Sequence, residues 1–595
     1  MPLETFDKIP NDTACYARGQ GQEAVALAAS STAIAVDIET GPIGTSRRWE
    51  ITAVAIATEQ EAHVLDPVKD QAAIRDALSV ARAHVFHNAA YDVPTLVHAN
   101  LLRTSDISKA EDTLVMARLA EPGERISKSL GDLAERHLGA GYAHQKHALE
   151  QGFKAVTGSR RKADVFEHLG LDSPAFCAYA AFDPVMTIRL WKIMPGLVRT
   201  RIKTCAPFPV IGDPEHLIRR EQTVNQMMMA ASTRGLLVDY ERLDSILDQL
   251  DAQMQEADAQ LIAYGIDPHQ TALHVKSDAV SWLAQRGLLP PGWPRLEDGS
   301  PTRDARWLVK ISHPVVSALI AKSRAERFIG DYADKVLRQG REGLIHPQMN
   351  VLAAVTGRMS CSSPPLQQYP PEVRPLLSSQ SAMTSLDWSS IEPVFIAAAA
   401  REQEILDFFA AGGDLYEPVA EAAGVSRKTA KTILLAQLYG QGTEGLATNI
   451  GVTPNEAQNL IAKVMDGMPA VQRLIRTIQG VSGNHGIVPT LSGRVLPIPR
   501  SRPGAGYAGY LGVNYYVQGS CYDLLSEALY SMNKAGLASN LRLAVHDELI
   551  VDSEAADDVE RIMITPPPAL VELAGTAPTL RVGRTELGNN WAVKS

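Results

Sequence analysis

Three stretches of sequence decide the fold: TGRMS at residues 356–360, SLDWSSIE at residues 385–392 and VHDE at residues 545–548. In each of the last two stretches, an aspartate comes after apolar residues. In VHDE a second acid, a glutamate, follows the aspartate directly. A stretch containing an arginine comes first, and a basic helical stretch lies between the two acidic ones. Carboxylates assembled from distant strands are the arrangement that two-metal phosphoryl transfer requires. The sequence therefore predicts such a site in the C-terminal half.

Composition bounds the class of protein. With 595 residues the chain is too long for one hydrophobic core, and we expect roughly three to four domains. An apolar fraction of 45% and a charged fraction of 21% are typical of a folded globular protein rather than a disordered one. The five cysteines form no Cys-x-x-Cys pair, so we expect reduced thiols and no zinc site. Without a signal peptide or a membrane-spanning run, the sequence predicts a soluble cytoplasmic protein with no membrane partner.

The charge distribution leaves nucleic-acid binding open. The net charge is −10, but phosphate binding depends on local charge and not on the total. A basic cluster at residues 160–162 is interpreted as a solvated face. A second basic group, just ahead of residue 356, could also be a solvated face, but its position favours contact with a nucleic-acid backbone. This second group consists of Lys322, Arg324, Arg327, Lys335, Arg338 and Arg341.

A separate acidic constellation lies in the first third of the chain. Residues 32–38 are predicted to form a buried strand, with residues 51–57 and 62–66 as neighbouring strands. Asp37 and Glu39 stand two residues apart at the end of the first strand, so their side chains project from the same face. An Asp-x-Glu pair alone is weak evidence, because such pairs often simply end a strand.

Two further segments strengthen this prediction. Asp92 follows another apolar strand at residues 84–86, and Tyr179 and Asp183 have the i, i+4 spacing of one helix face. Four carboxylates converging from three segments would hold two hard cations, which take oxygen ligands. Tyr179 could orient the attacking water.

These three segments resemble the tyrosine-containing DEDD family of 3′–5′ exonucleases over about residues 30–195. All four acids and the tyrosine of that pattern are present: Asp37, Glu39, Asp92, Asp183 and Tyr179. The resemblance implies a ribonuclease H-like fold and a metal-dependent exonuclease. The alternative is a folded but inactive remnant, which should have lost at least one acid.

Residues 215–595 resemble the polymerase region of family A DNA polymerases, and the stretch at 356–370 matches the family signature nearly throughout. The resemblance implies that Asp387 and Asp547 bind both metals and that Glu548 is an accessory acid. By the same resemblance, Glu392 lies under the incoming sugar and excludes a 2′-hydroxyl. Arg358 and His546 are then expected to contact the primer end.

The basic helix at residues 427–440 is expected to bind the nucleotide. Arg427, Lys431 and Leu435 recur every four residues and share one face, where two fixed cations suit a triphosphate. The family carries an aromatic residue where this chain has Leu435, so nucleotide-sugar discrimination is expected to change. Tyr439 remains as in the family. By resemblance, Asn514 and Gln518 lie on a helix that lines the template-primer duplex.

The predicted fold class is a multidomain α/β protein, with a ribonuclease H-like exonuclease domain followed by a right-hand polymerase domain. The expected boundaries are 1–205 for the exonuclease, 206–345 for the thumb and connecting helices, 346–400 for the first part of the palm, 401–510 for the fingers and 511–595 for the second part of the palm. We expect no 5′-nuclease domain, a compact form that resembles polymerases of bacteriophages.

The sequence thus predicts a template-directed DNA polymerase with a proofreading exonuclease, and replication of a phage genome as its setting. The expected cofactor is Mg²⁺, two ions per active site, with Mn²⁺ as a substitute. The expected partners are primer-template DNA, dNTPs and a processivity factor or other replisome proteins, and the chain is expected to be a monomer. One alternative is a nuclease whose polymerase half only grips DNA, and another is a non-catalytic DNA-binding scaffold. An RNA polymerase or reverse transcriptase is disfavoured by Glu392 and the signature at residue 356.

Overall fold

The computed structural model describes residues 7–8, 13–41, 49–123, 125–139, 154, 170–203, 212–334, 343–502 and 504–592. The chain divides into two compact units, the first formed by residues 1–235, 347–367 and 381–586, the second by residues 236–346, 368–380 and 587–595. The predicted domain boundaries are finer than this division and stay a prediction. Within the described residues, no helix combines the length and apolar character needed to cross a membrane.

The N-terminal part of the first unit is built on a seven-stranded sheet with the order β1-β2-β5-β4-β3-β6-β7. Its central strands are alanine-, valine- and isoleucine-rich and buried, which places the core on both faces of the sheet. The predicted strands are confirmed within two residues. The strands are β1 (Asp7–Lys8), β2 (Cys15–Arg18), β3 (Ile34–Thr40), β4 (Ile51–Ala57), β5 (Glu61–Leu65), β6 (His84–Phe86) and β7 (Ala110–Asp112).

Helices cover this sheet and lead out of it. Their apolar faces pack on the strands, since Phe176, Val185 and Met186 of the sixth helix lie in the same buried cluster as Ala53 and Ala55 of β4. The helices are α1 (Gly21–Ser30), α2 (Gln71–Val80), α3 (Ala89–His98), α4 (Thr113–Ala120), α5 (Leu130–Leu138), α6 (Pro174–Lys203) and α7 (Pro214–Arg234). The basic cluster at residues 160–162 lies outside the described residues.

The second unit is mainly helical. Its strands β8 (Leu236–Val238) and β9 (Leu344–Ile345) pair with each other, and β8 also pairs with Leu377–Ser378. Its helices are α8 (Tyr240–Ala263), α9 (Ala272–Gln285), α10 (Ala305–Leu308) and α11 (Pro314–Arg327). The buried residues of α8 are Leu243, Ala257 and Leu261.

The second predicted basic group needs a correction in this unit. Lys322 is 8% exposed, and its Nζ lies 2.6 Å from Asp258 Oδ1. Its charge therefore neutralises Asp258 on α8 and is not presented to a nucleic-acid backbone. Arg324 and Arg327 are exposed, and Arg324 pairs with Glu372 at 2.8 Å. Lys335, Arg338 and Arg341 lie outside the described residues.

The remainder of the first unit carries the predicted polymerase motifs. A short pair, β10 (Gln348–Asn350) and β11 (Ser360–Ser362), flanks the TGRMS stretch. The long strand β12 (Leu377–Trp388) then pairs over Met383–Asp387 with the second strand of a hairpin near the C-terminus. The other strands are β13 (Ile487–Pro489), β14 (Val495–Pro497), β15 (Leu541–Val545), β16 (Glu548–Asp552) and β17 (Val582–Asn590).

Between β12 and β15 the chain is mainly helical, with the short strands β13 and β14 as the exception. Pro393 lies in the first turn of its helix, where a missing N–H costs nothing. The helices between β12 and β15 are α12 (Ile391–Ala400), α13 (Gln403–Ala410), α14 (Glu417–Ala423), α15 (Arg427–Leu438), α16 (Thr443–Ile450), α17 (Pro454–Asp466), α18 (Pro469–His485) and α19 (Leu511–Lys534). Two further helices, α20 (Ala556–Ile564) and α21 (Pro568–Ala574), follow β16.

Candidate active sites

The first acidic pair lies on β3, as predicted. Asp37 and Glu39 are opposite Ala55 and Ala53 of β4, so small side chains flank the two carboxylates within the sheet. Glu39 is 7% exposed, whereas Asp37 is half-buried. The alternation of the strand puts both carboxylates on one face.

Asp92 joins this pair from the first turn of α3, directly after β6. Its side chain is buried. Burial, the negative charge of Asp112 and then that of Glu39 raise the pKa of Asp92 well above its ordinary value. Acids that raise one another's pKa are close together without a compensating charge, and this is the condition that a bound cation relieves.

Tyr179 and Asp183 project from α6 into the same place. Burial, followed by the charges of Asp183, Glu39 and Asp37, raises the pKa of the Tyr179 hydroxyl well above its ordinary value, and the hydroxyl is hydrogen-bonded to Asp183. The four predicted acids and the tyrosine are therefore brought together within electrostatic reach of one another.

Sequence reasoning missed one acid of this region, Asp112. It is 2% exposed and accepts backbone N–H bonds from Asn88 and Ala89 at 3.0 Å, which fixes the start of the helix that carries Asp92. It also caps α4 by accepting from the Leu114 N–H at 2.8 Å. Its one local signal is the preference of aspartate for helix N-caps.

The second group of acids lies where β12 meets the β15–β16 hairpin. Asp387 is directly opposite Glu548, and the two-residue turn of the hairpin consists of His546 and Asp547. His546 has a φ of 58°, a left-handed conformation that turns the chain so that Asp547 comes next to Asp387. The Ser385 hydroxyl donates to Glu548 Oε1 at 2.5 Å and holds that carboxylate.

Asp387 has an unusual charge state. Partial removal from water, followed by the negative charges of Asp547 and Glu548, raises its pKa to about 7 although its side chain reaches solvent. A carboxyl group that is half protonated near neutral pH marks a cluster of unbalanced negative charge.

Glu392 connects three of the predicted residues. It is 7% exposed, and its two oxygens accept from Arg358 Nη2 at 2.5 Å and from the Tyr439 hydroxyl at 2.6 Å. Burial and the Glu392 hydrogen bond raise the pKa of Tyr439, so the hydroxyl stays a donor. The Glu392 carboxylate thus connects the TGRMS stretch at residues 356–360, called the signature turn below, to the end of α15.

The predicted basic face of α15 is present, and both of its cations contact neighbouring side chains. Arg427 Nε donates to Asp414 Oδ2 at 2.6 Å, and its guanidinium lies 5.5 Å from the centre of the Tyr416 ring. Lys431 Nζ lies 5.6 Å from the centre of the same ring. Leu435, one turn further on, is half-buried. Sequence reasoning missed Asp414, which pairs with Arg427, and Tyr416, whose ring lies near both cations.

Asn514 and Gln518 are half-buried on α19, one turn apart. A buried arginine ties this helix to the signature turn, since Arg494 donates to Asp523 Oδ1 at 2.7 Å, to the Gly519 carbonyl at 2.6 Å and to the Thr356 carbonyl at 3.4 Å. These long-range contacts fix the position of the TGRMS stretch.

Both acid groups offer only oxygen donors, the ligand type that Mg²⁺ prefers. Over the described part of the chain, no three histidine, cysteine, aspartate or glutamate side chains are drawn together into a closed metal-binding group. The four described cysteines, Cys15, Cys177, Cys361 and Cys521, form no disulfide with one another.

Comparison with known proteins identifies the class. A model of DNA polymerase family A matches residues 240–591, and a 3′–5′ exonuclease model matches residues 18–198. The DNA polymerase of Mycobacterium phage L5 is 26% identical, covering 89% of this chain and 88% of the relative. That of Mycobacterium phage D29 is 24% identical, covering 90% of each. The polymerase domain of Pol1 from M. smegmatis, solved in complex with DNA primer-template and dNTP, matches with a TM-score of 0.72 at 21% identity, covering 96% of this chain and 99% of that one.

The chain therefore belongs to DNA polymerase family A and carries a 3′–5′ exonuclease domain. The predicted family, fold class and enzyme class, a DNA-directed DNA polymerase with 3′–5′ exonuclease activity, are confirmed.

Proposed function

We propose that the chain extends a primer at Asp387 and Asp547 by two-metal phosphoryl transfer and edits the primer end at Asp37, Glu39, Asp92 and Asp183. The observation that carries this proposal is the mutual repulsion of the acids at each site. Burial, followed by this repulsion, raises the pKa of Asp387 to about 7 and that of Asp92 well above its ordinary value. Separate acid clusters on one chain fit two opposite reactions on a phosphodiester.

At the polymerase site, Asp387 and Asp547 would hold Mg²⁺, with Glu548 as an accessory acid. Bound Mg²⁺ supplies charge stabilisation for the in-line displacement and lowers the pKa of the attacking hydroxyl. The primer 3′-oxygen forms the new bond to the α-phosphorus, and pyrophosphate leaves. His546 and Arg358 position the primer end.

The remaining groups bind the nucleotide and the duplex. Arg427 exchanges Asp414 for the triphosphate and gives it forked contacts, while Lys431 neutralises the leaving pyrophosphate. Glu392, held by Arg358 and Tyr439, lies under the sugar with Leu435. Asn514 and Gln518 contact the duplex.

At the editing site, Asp37, Glu39, Asp92 and Asp183 would hold a second pair of Mg²⁺ ions through oxygen ligands. The Tyr179 hydroxyl, hydrogen-bonded to Asp183, orients the water that attacks the terminal phosphodiester. Its raised pKa keeps the hydroxyl proton in place as a hydrogen-bond donor.

Replication of a phage genome in a host cytoplasm is the proposed setting. It is supported by the two mycobacteriophage DNA polymerases, which align over about nine-tenths of both chains. Primer-template DNA and dNTPs are the proposed partners, since the Pol1 domain that matches this fold was solved with both. A monomer that recruits a processivity factor completes the proposal.

A comparison of two aspartate variants tests the polymerase assignment. Asp547→Asn should lower the rate of single-nucleotide incorporation by about 1,000-fold or more, as expected for loss of a group that stabilises charge in the transition state. Asp407→Asn, an exposed change on α13, is the matched control and should leave the rate unchanged. An Asp547→Asn rate within a few-fold of the control would overturn the assignment.

A further inference from the structure

A cleft separate from both acid clusters lies within the first unit, between the exonuclease region and the signature turn. Its volume is about 350 Å³. One wall consists of residues of α4 with residues 122–123 and 126–128, and the other consists of residues 352–355, 357 and 494–496. Clefts of this size accommodate a mononucleotide-sized ligand.

Two cations line this cleft without a carboxylate partner among the described residues. Arg118 Nη1 donates to the Val351 carbonyl at 2.5 Å. Lys128 Nζ donates to the carbonyls of Gly123 at 2.7 Å and Ile126 at 3.0 Å. Both cations are half-buried, so their charges are only partly hydrated.

The acids nearest to these cations are already engaged. Asp112, which attracts Arg118, accepts three backbone N–H bonds. Glu121, which attracts Lys128, is held by Arg136 at 2.7 Å and by His137 at 2.8 Å. The third cation of the cleft, Arg494, is paired with Asp523.

The electrostatics agree with this geometry. Burial lowers the pKa of Arg118, and burial followed by the charges of Arg118 and Arg136 lowers the pKa of Lys128. A lowered pKa means that the surroundings disfavour the positive charge, and a bound anion reverses that effect.

We propose that this cleft is a phosphate-binding site, in which Arg118 and Lys128 hold the phosphate group of a nucleotide or of a DNA strand. A planar guanidinium gives two parallel contacts to phosphate oxygens, and an ammonium adds a point charge. The cleft lies outside both acid clusters, so the proposal goes beyond the polymerase and editing assignments and does not depend on them.

Acetylation of lysine side chains, read by peptide mass spectrometry, tests the site directly. The full-length protein is treated with acetic anhydride, with a chelator present so that DNA stays intact, and with inorganic phosphate, dTMP or an unphosphorylated oligo-dT as the probe. With a probe at about nine times its Kd, mass action predicts that acetylation of Lys128 slows about tenfold. Lys69, whose side chain is 84% exposed, is the matched control and should react at an unchanged rate at constant ionic strength.

The three probes distinguish the source of the phosphate. Protection at lower concentration by oligo-dT than by dTMP assigns the cleft to a DNA strand, and the reverse order assigns it to a free nucleotide or phosphate. Arg118→Gln should raise the protective concentration about tenfold, as expected for loss of a charge-assisted contact.

Unchanged Lys128 acetylation with all three probes would refute the site, as would equal slowing at Lys69. Undiminished protection in the Arg118→Gln protein would also refute it. The wild-type comparison decides the matter even where that variant fails to fold.

Discussion

The charge state of Asp387 predicts that the Mg²⁺ requirement of primer extension changes steeply across neutral pH. Removal from water and the charges of Asp547 and Glu548 raise the pKa of this carboxyl to about 7. Below that pH a proton would therefore compete with the proposed Mg²⁺ for the same oxygens. As the pH rises through 7 the proton leaves, and the site gains affinity for the cation.

The size of the effect follows from simple competition. The concentration of Mg²⁺ at half-saturation scales with one plus the ratio of protonated to ionised Asp387. With a pKa of about 7 this factor is about 11 at about pH 6 and about 1.1 at about pH 8, a change of about tenfold. An aspartate at its ordinary value of 3.8 would change by about 1% over the same range.

The assay measures extension of a primer-template at several Mg²⁺ concentrations at each pH. The half-saturating concentration isolates metal binding from the pH dependence of the chemical step. Glu548→Gln is the informative variant, because removing one neighbouring negative charge should lower the pKa of Asp387 and move the midpoint to lower pH. Half-saturation at the same Mg²⁺ concentration at both pH values would refute this reasoning.

Three further predictions concern the surroundings of the site. Gly357 has a φ of 89°, and an added Cβ would lie 1.9 Å from Arg494 Nη1. Gly357→Ala should therefore lower the free energy of unfolding, measured by urea titration, by about 3 kcal/mol or more. The same variant should abolish primer extension. Gly412→Ala, with a φ of 104° and open space around it, isolates the backbone strain and should cost about 1–2 kcal/mol, and equal losses would contradict the clash. Leu435→Phe should change the ratio of dideoxy- to deoxynucleotide incorporation about tenfold, because the proposed contact with the sugar would change by about 1.4 kcal/mol, and identical ratios would refute that contact. Asp523→Asn should lower the free energy of unfolding by about 3–5 kcal/mol, since it leaves the buried Arg494 without its carboxylate, and a loss below about 1 kcal/mol would contradict this.

Local patterns predicted much of this molecule. The apolar run with an Asp-x-Glu ending gave β3, and the i, i+4 spacing of Tyr179 and Asp183 gave one face of α6. The apolar stretches on both sides of residues 546–547 form the two strands of the hairpin. In each case the side-chain spacing that predicts the element and the residues that predict the site lie within a few positions of one another in the sequence.

Contacts between distant segments were beyond such patterns. Nothing near Asp112 indicates that it anchors the helix carrying Asp92, because its partners lie 23 and 24 residues away. The ion pair of Arg494 and Asp523 joins a hairpin to a helix that the sequence treats separately. Lys322 was predicted wrongly for the same reason, since its partner Asp258 is 64 residues away.

Two acid clusters on one chain are proposed to catalyse opposite reactions on a primer end. The most direct measurement follows a 5′-labelled primer-template with Mg²⁺, with and without dNTPs, for the wild type, Asp387→Ala and Asp37→Ala. We predict extension with dNTPs and shortening without them in the wild type, loss of extension alone in Asp387→Ala, and loss of shortening alone in Asp37→Ala. Shortening of the wild-type primer under both conditions, or loss of both activities in either folded variant, would contradict the account.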